Sequence, residues 1–515
     1  MLLSKSKITA SSDMSTTELM EQAAIYPNEQ NRAGVVIIGA GMAGSRFAIE
    51  LARAQQQSIQ AKNVQEKSVQ AKNNYPHSRD LKEAAIPLPI TLISKEPQVG
   101  YNRIMLSPVL AGDTAFADTY LYDADDYEQL GIRVLSGVSV DRIDTDAQSV
   151  ELADGQRLPY AKLVIATGST ARVIAFPNHT AKGVHVFRDL ADVTTLTEYA
   201  RQGKTGLVIG GGVLGLEAAC ALAAQGATMT VVHVDDYVLN RQLDWPAAKL
   251  LQAELNRRGV GLEVSANTDS IIVNDADEVC GLCLKDGRTL SADFIVMAVG
   301  VIPNTMLAQD SGLEVNRGIV VDEYMHTSCP QVYAIGECIE RAGELFGMVA
   351  PVNQQVDTLV SVLKNATFFK NDESVSPPNS WVPFVSKPLS LKLKVSGIAA
   401  FSAGQIAFND SESVVVETLV YRQPILNHYH CLYLKDNRVI GAVLYGDVND
   451  GRFYSQLIMD KVDITAIKDT LIFGEAYCDL EAIDSSETHV GNDEEQDIES
   501  DDDNSKMTAL VEEAS

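Results

Sequence analysis

Apolar residues along the chain form two similar blocks. A run of four, Val35–Ile38, leads into "GAGMAG", and Met42, Ala43, Phe47 and Leu51 then follow at helical spacing. The second block opens with "GLVIGGGVLG" at Gly206 and continues with Leu214, Leu216 and Ala219 at the same spacing. A short apolar run predicts a buried strand, the wider spacing predicts a helix, and the intervening glycines predict a tight strand-to-helix turn.

The rest of the pattern repeats around these blocks. "ITLIS", Ile90–Ser94, predicts the second strand of the first block. Before it lies a polar tract, Gln55–Ala85, in which "SIQAKN" and "SVQAKN" recur, predicting an insertion or a helix extension with no evident chemical role. Val138–Ser169 reads as a hairpin turning at Asp154-Gly155, followed by a buried strand, Leu163–Thr167. In the second block the hairpin "VCGLCLKDGRTL" turns at Lys285-Asp286-Gly287 and precedes a strand ending in "IVMAVGVIPN". Fingerprint, hairpin and apolar strand thus occur twice in one order, which is duplication on the scale of a domain.

The expected fold class is α/β, with two Rossmann-like nucleotide-binding domains and a small C-terminal α/β interface domain. Residues 33–185 and 301–365 are assigned to the first nucleotide-binding domain and 186–300 to the second. A linker is expected at 366–391, where "NDESVSPPNS" lies, and the interface domain at 392–475, with a turn at Asp436-Asn437. The arm 1–32 and the acidic tail 484–515 are expected to be disordered.

Composition narrows the class. With 515 residues, 46% of them hydrophobic, the chain is long enough for several buried cores. No apolar run of about 18 residues predicts a membrane span, and the first thirty residues lack a signal peptide's apolar core. A cytoplasmic location is expected. The net charge of −28 and a pI near 4.6 argue against a nucleic-acid partner. Part of that charge is local, since the stretch from Asp484 to Ser515 holds 12 acidic residues and one base, Lys506. Seven cysteines, thinly spread, suggest no disulfide framework, and Cys280 and Cys283 read as strand cysteines rather than metal ligands. No metal site is expected.

Chemistry enters with the glycines. Gly39, Gly41 and Gly44 form a G-x-G-x-x-G pattern, and Gly210, Gly212 and Gly215 repeat it. The first glycine permits the bend, the second lets backbone approach a pyrophosphate, and the third lets helix and strand pack closely. The helix N-terminus adds free N–H groups and partial positive charge. Two dinucleotide sites in one chain imply a transfer between two dinucleotides.

The ordered segments "VVIIGAGMAG", "YNRIMLSPVLAGD", "LVIATGS", "GLVIGGGVLGLEAA", "IVMAVGVIPNT" and "VYAIGEC" resemble the flavin-dependent pyridine-nucleotide oxidoreductases. Within that superfamily the chain is most similar to the flavoprotein portion of the NAD(P)H-dependent assimilatory nitrite reductase large subunit, and next to rubredoxin and ferredoxin reductases. "YNRIMLSPVLAG" and "KLKVSGIAAFSAG" favour the first branch.

The resemblance implies that Gly39, Ala40, Gly41, Met42, Ala43 and Gly44 cradle the FAD pyrophosphate, with Thr167 and Gly168 closing on the cofactor. It further implies that Gly336 and Glu337 lie beside the ribityl chain, where the family usually has aspartate. Glu96 is the candidate for the adenosine ribose, or else a solvated surface glutamate. Arg103 resembles an arginine near the flavin and its phosphates. Where related ferredoxin reductases carry a lysine that can bond the flavin ring, this chain has Pro108. Pro351 to Gln354 resemble residues at the ring's far edge.

For the second site, the resemblance implies that Gly210, Gly212, Val213, Leu214 and Gly215 hold NADH or NADPH, near Val299 and Gly300. Glu217 falls on the nicotinamide side, or else merely anchors its helix. At the end of the next strand His233 comes first, then Asp235 and Asp236, with Arg241 further on. An acidic residue there suits a ribose 2′-hydroxyl and an arginine a 2′-phosphate. The sequence leaves the choice open, with a lean to NADH.

No side-chain acid or base is essential to hydride transfer between the two cofactors. Family disulfide reductases carry a cysteine near the flavin, but none occurs here before Cys220, and too few follow Cys431 to ligate a cluster. The chain is therefore expected to be an FAD-dependent NAD(P)H:acceptor oxidoreductase that feeds a separate iron–sulfur or sirohaem component in nitrate or nitrite assimilation. It is a possible homodimer. The alternatives are a rubredoxin or ferredoxin reductase of another pathway and, in a different class, a flavin-bound redox sensor or interaction protein.

Overall fold

The computed structural model describes residues 33–72, 88–364, 381–386, 390–395, 397–408 and 416–481. Strand β1 (Gly34–Ile38) leads into helix α1 (Met42–Lys72), followed by β2 (Ile90–Ser94), the short helix α2 (Leu106–Ala111) and the long strand β3 (Arg157–Ile165). β1 pairs in parallel with β2 on one side and β3 on the other. Arg133–Ser136 extends the sheet beyond β2, and Val332–Ala334 extends it beyond β3. Every residue of β1 is buried, as a central parallel strand covered on both faces requires, so its sequence is a continuous apolar run rather than an alternation.

The second unit contains α3 (Leu190–Arg201), β4 (Thr205–Ile209), α4 (Val213–Ala224), β5 (Thr228–Val232), α5 (Trp245–Arg257) and β6 (Phe294–Met297). β4 pairs in parallel with β5 and β6, with Gly261–Glu263 outside β5 and Val184–Val186 outside β6. The inner order of the first sheet is thus repeated. Each unit also carries the antiparallel strands expected of it, Val140–Asp144 and Ser149–Leu152 before β3, and Thr268–Val273, Val279–Leu284 and Thr289–Ser291 before β6. Their turns use Gly155 at φ 83° and Gly287 at φ 89°, a region where a side chain is strained.

Three boundaries differ from the reading of the sequence. The first hairpin and the buried strand after it are one element, because β3 pairs antiparallel through Arg157–Pro159 and parallel from Tyr160 onward. Val184 and His185, expected on the first side of a boundary at 185/186, pair with β6 and so belong to the second sheet. A three-residue strand is too short for periodicity to reveal. Within the expected linker 366–391, the stretch Trp381–Ser386 is anchored at Phe384, which is buried against Phe346 and whose N–H bonds the Glu323 carbonyl at 2.8 Å. The polar tract is helix up to Lys72, where α1 ends; the rest of that tract, the arm 1–32 and the tail from Asp484 lie outside the described residues. Among the described residues no helix is long and apolar enough to cross a membrane.

The C-terminal sheet is antiparallel, in the order Ser390–Val395, Ile398–Gly404, Arg438–Tyr445, His428–Lys435, Glu417–Gln423. Alternate residues of its inner strands enter different cores. Tyr429, Cys431, Tyr433, Val443 and Tyr445 pack with Ala247, Ala248, Leu251 and Leu255 of α5. Leu432, Leu434, Ala442 and Leu444 pack under the helix Gly451–Asp460. The period-two pattern therefore seats this sheet as a layer between its own helix and the second nucleotide-binding unit. Asp436 and Asn437 form the tight turn at φ 50° and 55°.

One carboxylate ties the layers together. Asp244 caps α5 by accepting the Ala247 N–H at 3.1 Å, and its other oxygen accepts the Tyr429 and Tyr433 hydroxyls at 2.5 and 3.0 Å. Burial and this carboxylate push both phenol pKa values upward, so the two tyrosines stay donors. Asp244→Ala removes the cap and takes the carboxylate acceptor from two buried hydroxyls, for an expected loss of about 2–4 kcal/mol. Urea unfolding followed through the adjacent Trp245 should show a lower midpoint, and an unchanged midpoint would contradict this account of the junction.

Candidate functional site

The two glycine turns have the same geometry. Gly39 sits at φ 108°, and a Cβ there would lie 2.2 Å from the Ala166 carbonyl oxygen; a Cβ on Gly44 would lie 1.9 Å from the oxygen of Gly39. Gly210 sits at φ 117° with the Ala298 oxygen 2.3 Å from such a Cβ, and Gly215 would meet the oxygen of Gly210 at 2.1 Å. The middle glycines are different: a Cβ on Gly41 or on Gly212 would meet nothing within 4 Å. Both turns therefore press strand and helix together at the outer glycines and leave open space over the middle one, at the N-terminus of α1 or α4. That is the shape a pyrophosphate needs, with the N–H groups of Met42 and Ala43, or of Val213 and Leu214, beside it.

Around the first turn the strand ends gather polar groups. Thr167 and Gly168 follow β3 and are held by Asn304, whose Nδ2 donates to the Thr167 carbonyl at 2.8 Å while the Thr167 hydroxyl donates to the Asn304 carbonyl at 2.9 Å. Gly336 follows Val332–Ala334 at φ 91°, where a Cβ would come 3.2 Å from that of Ala43. Its N–H donates to Gln355 Oε1 at 2.7 Å, and Gln355 Nε2 is buried without a partner. An orphaned donor beside an open cradle fits a ligand that supplies an acceptor. Ala40 is fixed from outside the turn, as its carbonyl accepts the Gly100 N–H and the Ser45 hydroxyl.

The expected charges are present and already paired. Glu96 is bonded to Arg103 and accepts the Tyr101 hydroxyl at 2.6 Å, and its side chain is half-buried. Glu337 is bonded to Arg188 and accepts the Ser169 hydroxyl at 2.7 Å. Arg103 also donates to the Arg188 carbonyl at 2.9 Å, which joins the two pairs into one chain. Arg188, Ser169 and Gln355 were not identified in the sequence. Gln355 stands one position past Gln354, which is half-buried on α6 (Val349–Leu363) three residues after the buried Pro351. Arg188 precedes a capping box, Asp189 with Asp192, a signal that marks a helix start but no ligand contact.

The second cradle has an acidic side and an imidazole side. Glu217, one turn into α4, accepts the hydroxyl of Ser107 from α2 at 2.6 Å, so the first unit reaches into the second site here. Burial raises the Glu217 pKa, and the Ser107 bond opposes that rise without a neighbouring charge adding to either side. His233 follows β5, and its Nδ1 accepts the Gly211 N–H at 3.1 Å, which leaves the ring proton on Nε2, 3.6 Å from Asp235. Asp235 is further held by Asn240 at 2.8 Å. On the other side of β4, Val299 and Gly300 follow β6, with Gly300 at φ 100°. A dinucleotide lying across this sheet edge would thus run from His233 to Gly300, past Glu217. Among the described residues no group of His, Cys, Asp and Glu is arranged to hold a metal ion.

The chain belongs to the pyridine nucleotide-disulphide oxidoreductase family, whose model matches residues 33–356. Residues 390–462 match the rubredoxin NAD+ reductase C-terminal domain. The chain is 36% identical over 432 residues to a nitrite reductase [NAD(P)H] of Bacillus subtilis, covering 84% of this chain and 48% of that protein. To the assimilatory nitrate reductase electron transfer subunit of the same organism it is 36% identical over 400 residues, covering 78% and 49%. It therefore spans about half the length of these curated relatives. Its fold is similar to that in the covalent putidaredoxin reductase–putidaredoxin complex, with a TM-score of 0.69, 23% identity and coverage of 89% of this chain and 99% of that one.

The raised Glu217 pKa has a defined effect on stability. An acid that holds its proton more tightly when folded gives more bound protons in the native state, so stability falls as pH rises from the ordinary value of 4.5 through the raised one. Glu217→Gln removes that fall. The stability of the apoprotein variant relative to wild type, measured by denaturation at a series of pH values, is expected to increase across this window; a flat difference would contradict the assigned burial.

Proposed function

We propose that the first cradle holds FAD, that the second holds NADH or NADPH, and that the chain passes electrons from the nicotinamide to a separate redox protein. The observation that carries this reading is the pair of open middle glycines, Gly41 and Gly212, each at a helix N-terminus. Bound in these sites, the flavin would accept a hydride from the reduced nicotinamide and release electrons to one-electron carriers. The protein's own part is positional. The N-termini of α1 and α4 would hold the two pyrophosphates, Glu96 and Glu337 would accept hydroxyl hydrogen bonds, and Gln355 would donate its unused N–H to the flavin cofactor. Glu217 and Ser107 would fix the nicotinamide side, and Asp235, steadied by Asn240, favours NADH by offering an acceptor to a ribose 2′-hydroxyl.

The acceptor we assign is a component of nitrate or nitrite assimilation, a reading supported by the names of the two Bacillus relatives. The match of residues 390–462 supports a rubredoxin-type acceptor as the second reading. A dithiol route within this chain is disfavoured. Cys338, next to Glu337, is fully buried and free, with its thiol directed to the Ile165 and Ile335 carbonyls. The sensor reading is weaker because a sensor has no need of a second complete cradle. We assign the protein to the cytoplasm.

Anaerobic titration tests the reading. Purified protein reconstituted with FAD should lose its visible absorbance on addition of NADH, and less readily with NADPH; failure with both would end the proposal. Because a Cβ at either middle glycine meets no atom within 4 Å, Gly41→Val and Gly212→Val should both fold. Gly41→Val is expected to lose flavin, while Gly212→Val keeps a yellow flavin that the pyridine nucleotide no longer bleaches. The opposite result would exchange the two cradles.

A further inference from the structure

Arg188 occupies a place that neither cradle alone explains. Its guanidinium, largely buried, reaches out of the second unit to bond the Ser169 hydroxyl at 2.8 Å, the Ser169 carbonyl at 3.3 Å and the Glu337 carboxylate. All the bonds that Glu337 makes to Arg188 and Ser169 use one oxygen, Oε2, which leaves Oε1 for a cofactor hydroxyl. Ser169 opens the strand Ser169–Ala171, which pairs with Val301–Pro303, so it stands where the chain crosses between the two units.

The backbone of Arg188 leads the other way. Its N–H donates to Asp192 at 2.7 Å, within the capping box that starts α3, and α3 packs on both α2 and α4. Its carbonyl accepts Arg103, which stands just before α2, and α2 carries the Ser107 that bonds Glu217 on α4. Two physical routes therefore run from the Glu337 carboxylate to the helix of the second cradle, and both pass through this one residue.

We infer that Arg188 couples the two cradles: by holding Glu337 for the first cofactor while anchoring α3 and Arg103, it makes occupancy of one nucleotide site strengthen binding at the other. The inference rests on the assignment of FAD to the first site. Coupling of this kind is reciprocal and typically amounts to about 5-fold or more in affinity. Arg188 acts here as a positioning residue, through Glu337 and α3.

ADP-ribose separates this effect from direct stacking, because it carries the ADP portion of a pyridine nucleotide but has no nicotinamide to touch a flavin; apoprotein carrying Gly212→Val reports any binding to the empty first cradle, which is subtracted. Its dissociation constant is to be measured by calorimetry on apoprotein and on FAD-loaded protein. Wild type is expected to bind ADP-ribose about 5-fold or more tightly once FAD is bound. In Arg188→Met the ratio should fall to near one while ADP-ribose still binds, and Arg188→Lys, which keeps the charge but loses the fork, should fall between. Ser169→Ala, which removes one leg of the clamp and no charge, should also lower the ratio and serves if Arg188→Met does not fold. Equal ADP-ribose affinity with and without FAD in wild type, or an undiminished ratio in the variants, overturns the coupling alone. Failure of wild-type apoprotein to take up FAD overturns the reading of the first cradle and the inference together.

Discussion

Both cradles depend on a close approach of backbone to backbone. The first turn of α1 crosses the carbonyl of Gly39, and the first turn of α4 crosses that of Gly210, at a distance that no β-carbon could share. A methyl group at Gly44 or Gly215 would push the helix start away from the strand, and the free N–H groups would then no longer converge on one point. The positive φ of Gly39 and Gly210 serves the same end, because it turns the chain sharply enough for the helix to return over the neighbouring strand. Everything polar in the sites is arranged around these two fixed points.

The sheet order then decides what each point can meet. In both units the strand after the helix lies on one side of the first strand and the last inner strand lies on the other, so a crevice opens at the strand ends. Loops entering the first crevice bring Glu96 and Arg103 from one side and Glu337 from the other. The second crevice receives His233 and Asp235 on one side and Gly300 on the other, while α2 reaches in from the first unit. The C-terminal sheet lies on α5 and also on α4, the helix of the second cradle, through a junction that includes Asp244.

Much of this was legible in the sequence for a physical reason: a turn that only glycine can make leaves glycine in the sequence. The cradles and the turns at Gly155 and Gly287 are of that kind, and the turn at Asp436-Asn437 was marked by residues that tolerate positive φ. Arg103 and Glu337 were singled out through resemblance and Glu96 through its place just beyond the second strand, yet their pairing was not, because ion pairs between residues seven or 149 positions apart leave no local pattern. Arg188 is the clearest case. Its neighbours announce a helix, and nothing in that signal says that the side chain crosses to another unit. Gln355 was not singled out, because helix phase decides which of two adjacent glutamines turns inward and the sequence alone does not show that phase. β3 was divided in two because its first part is half-solvated and its second part buried, so the pattern changes within one strand.

Two dinucleotides are anions, and the chain that would hold them has a net charge of −28. Among the described residues, the two arginines that stand beside the first cradle are not free cations. Arg103 and Arg188 are each matched by a carboxylate, Glu96 and Glu337, so these four side chains add no net charge among themselves. What faces each pyrophosphate is backbone: N–H groups at a helix start, pointed by glycine geometry and already short of partners. Such donors carry partial charges that cannot titrate and that lose no side-chain entropy on binding. The charged side chains can then be spent on orientation, with carboxylates turned to hydroxyls and guanidiniums holding the carboxylates in place.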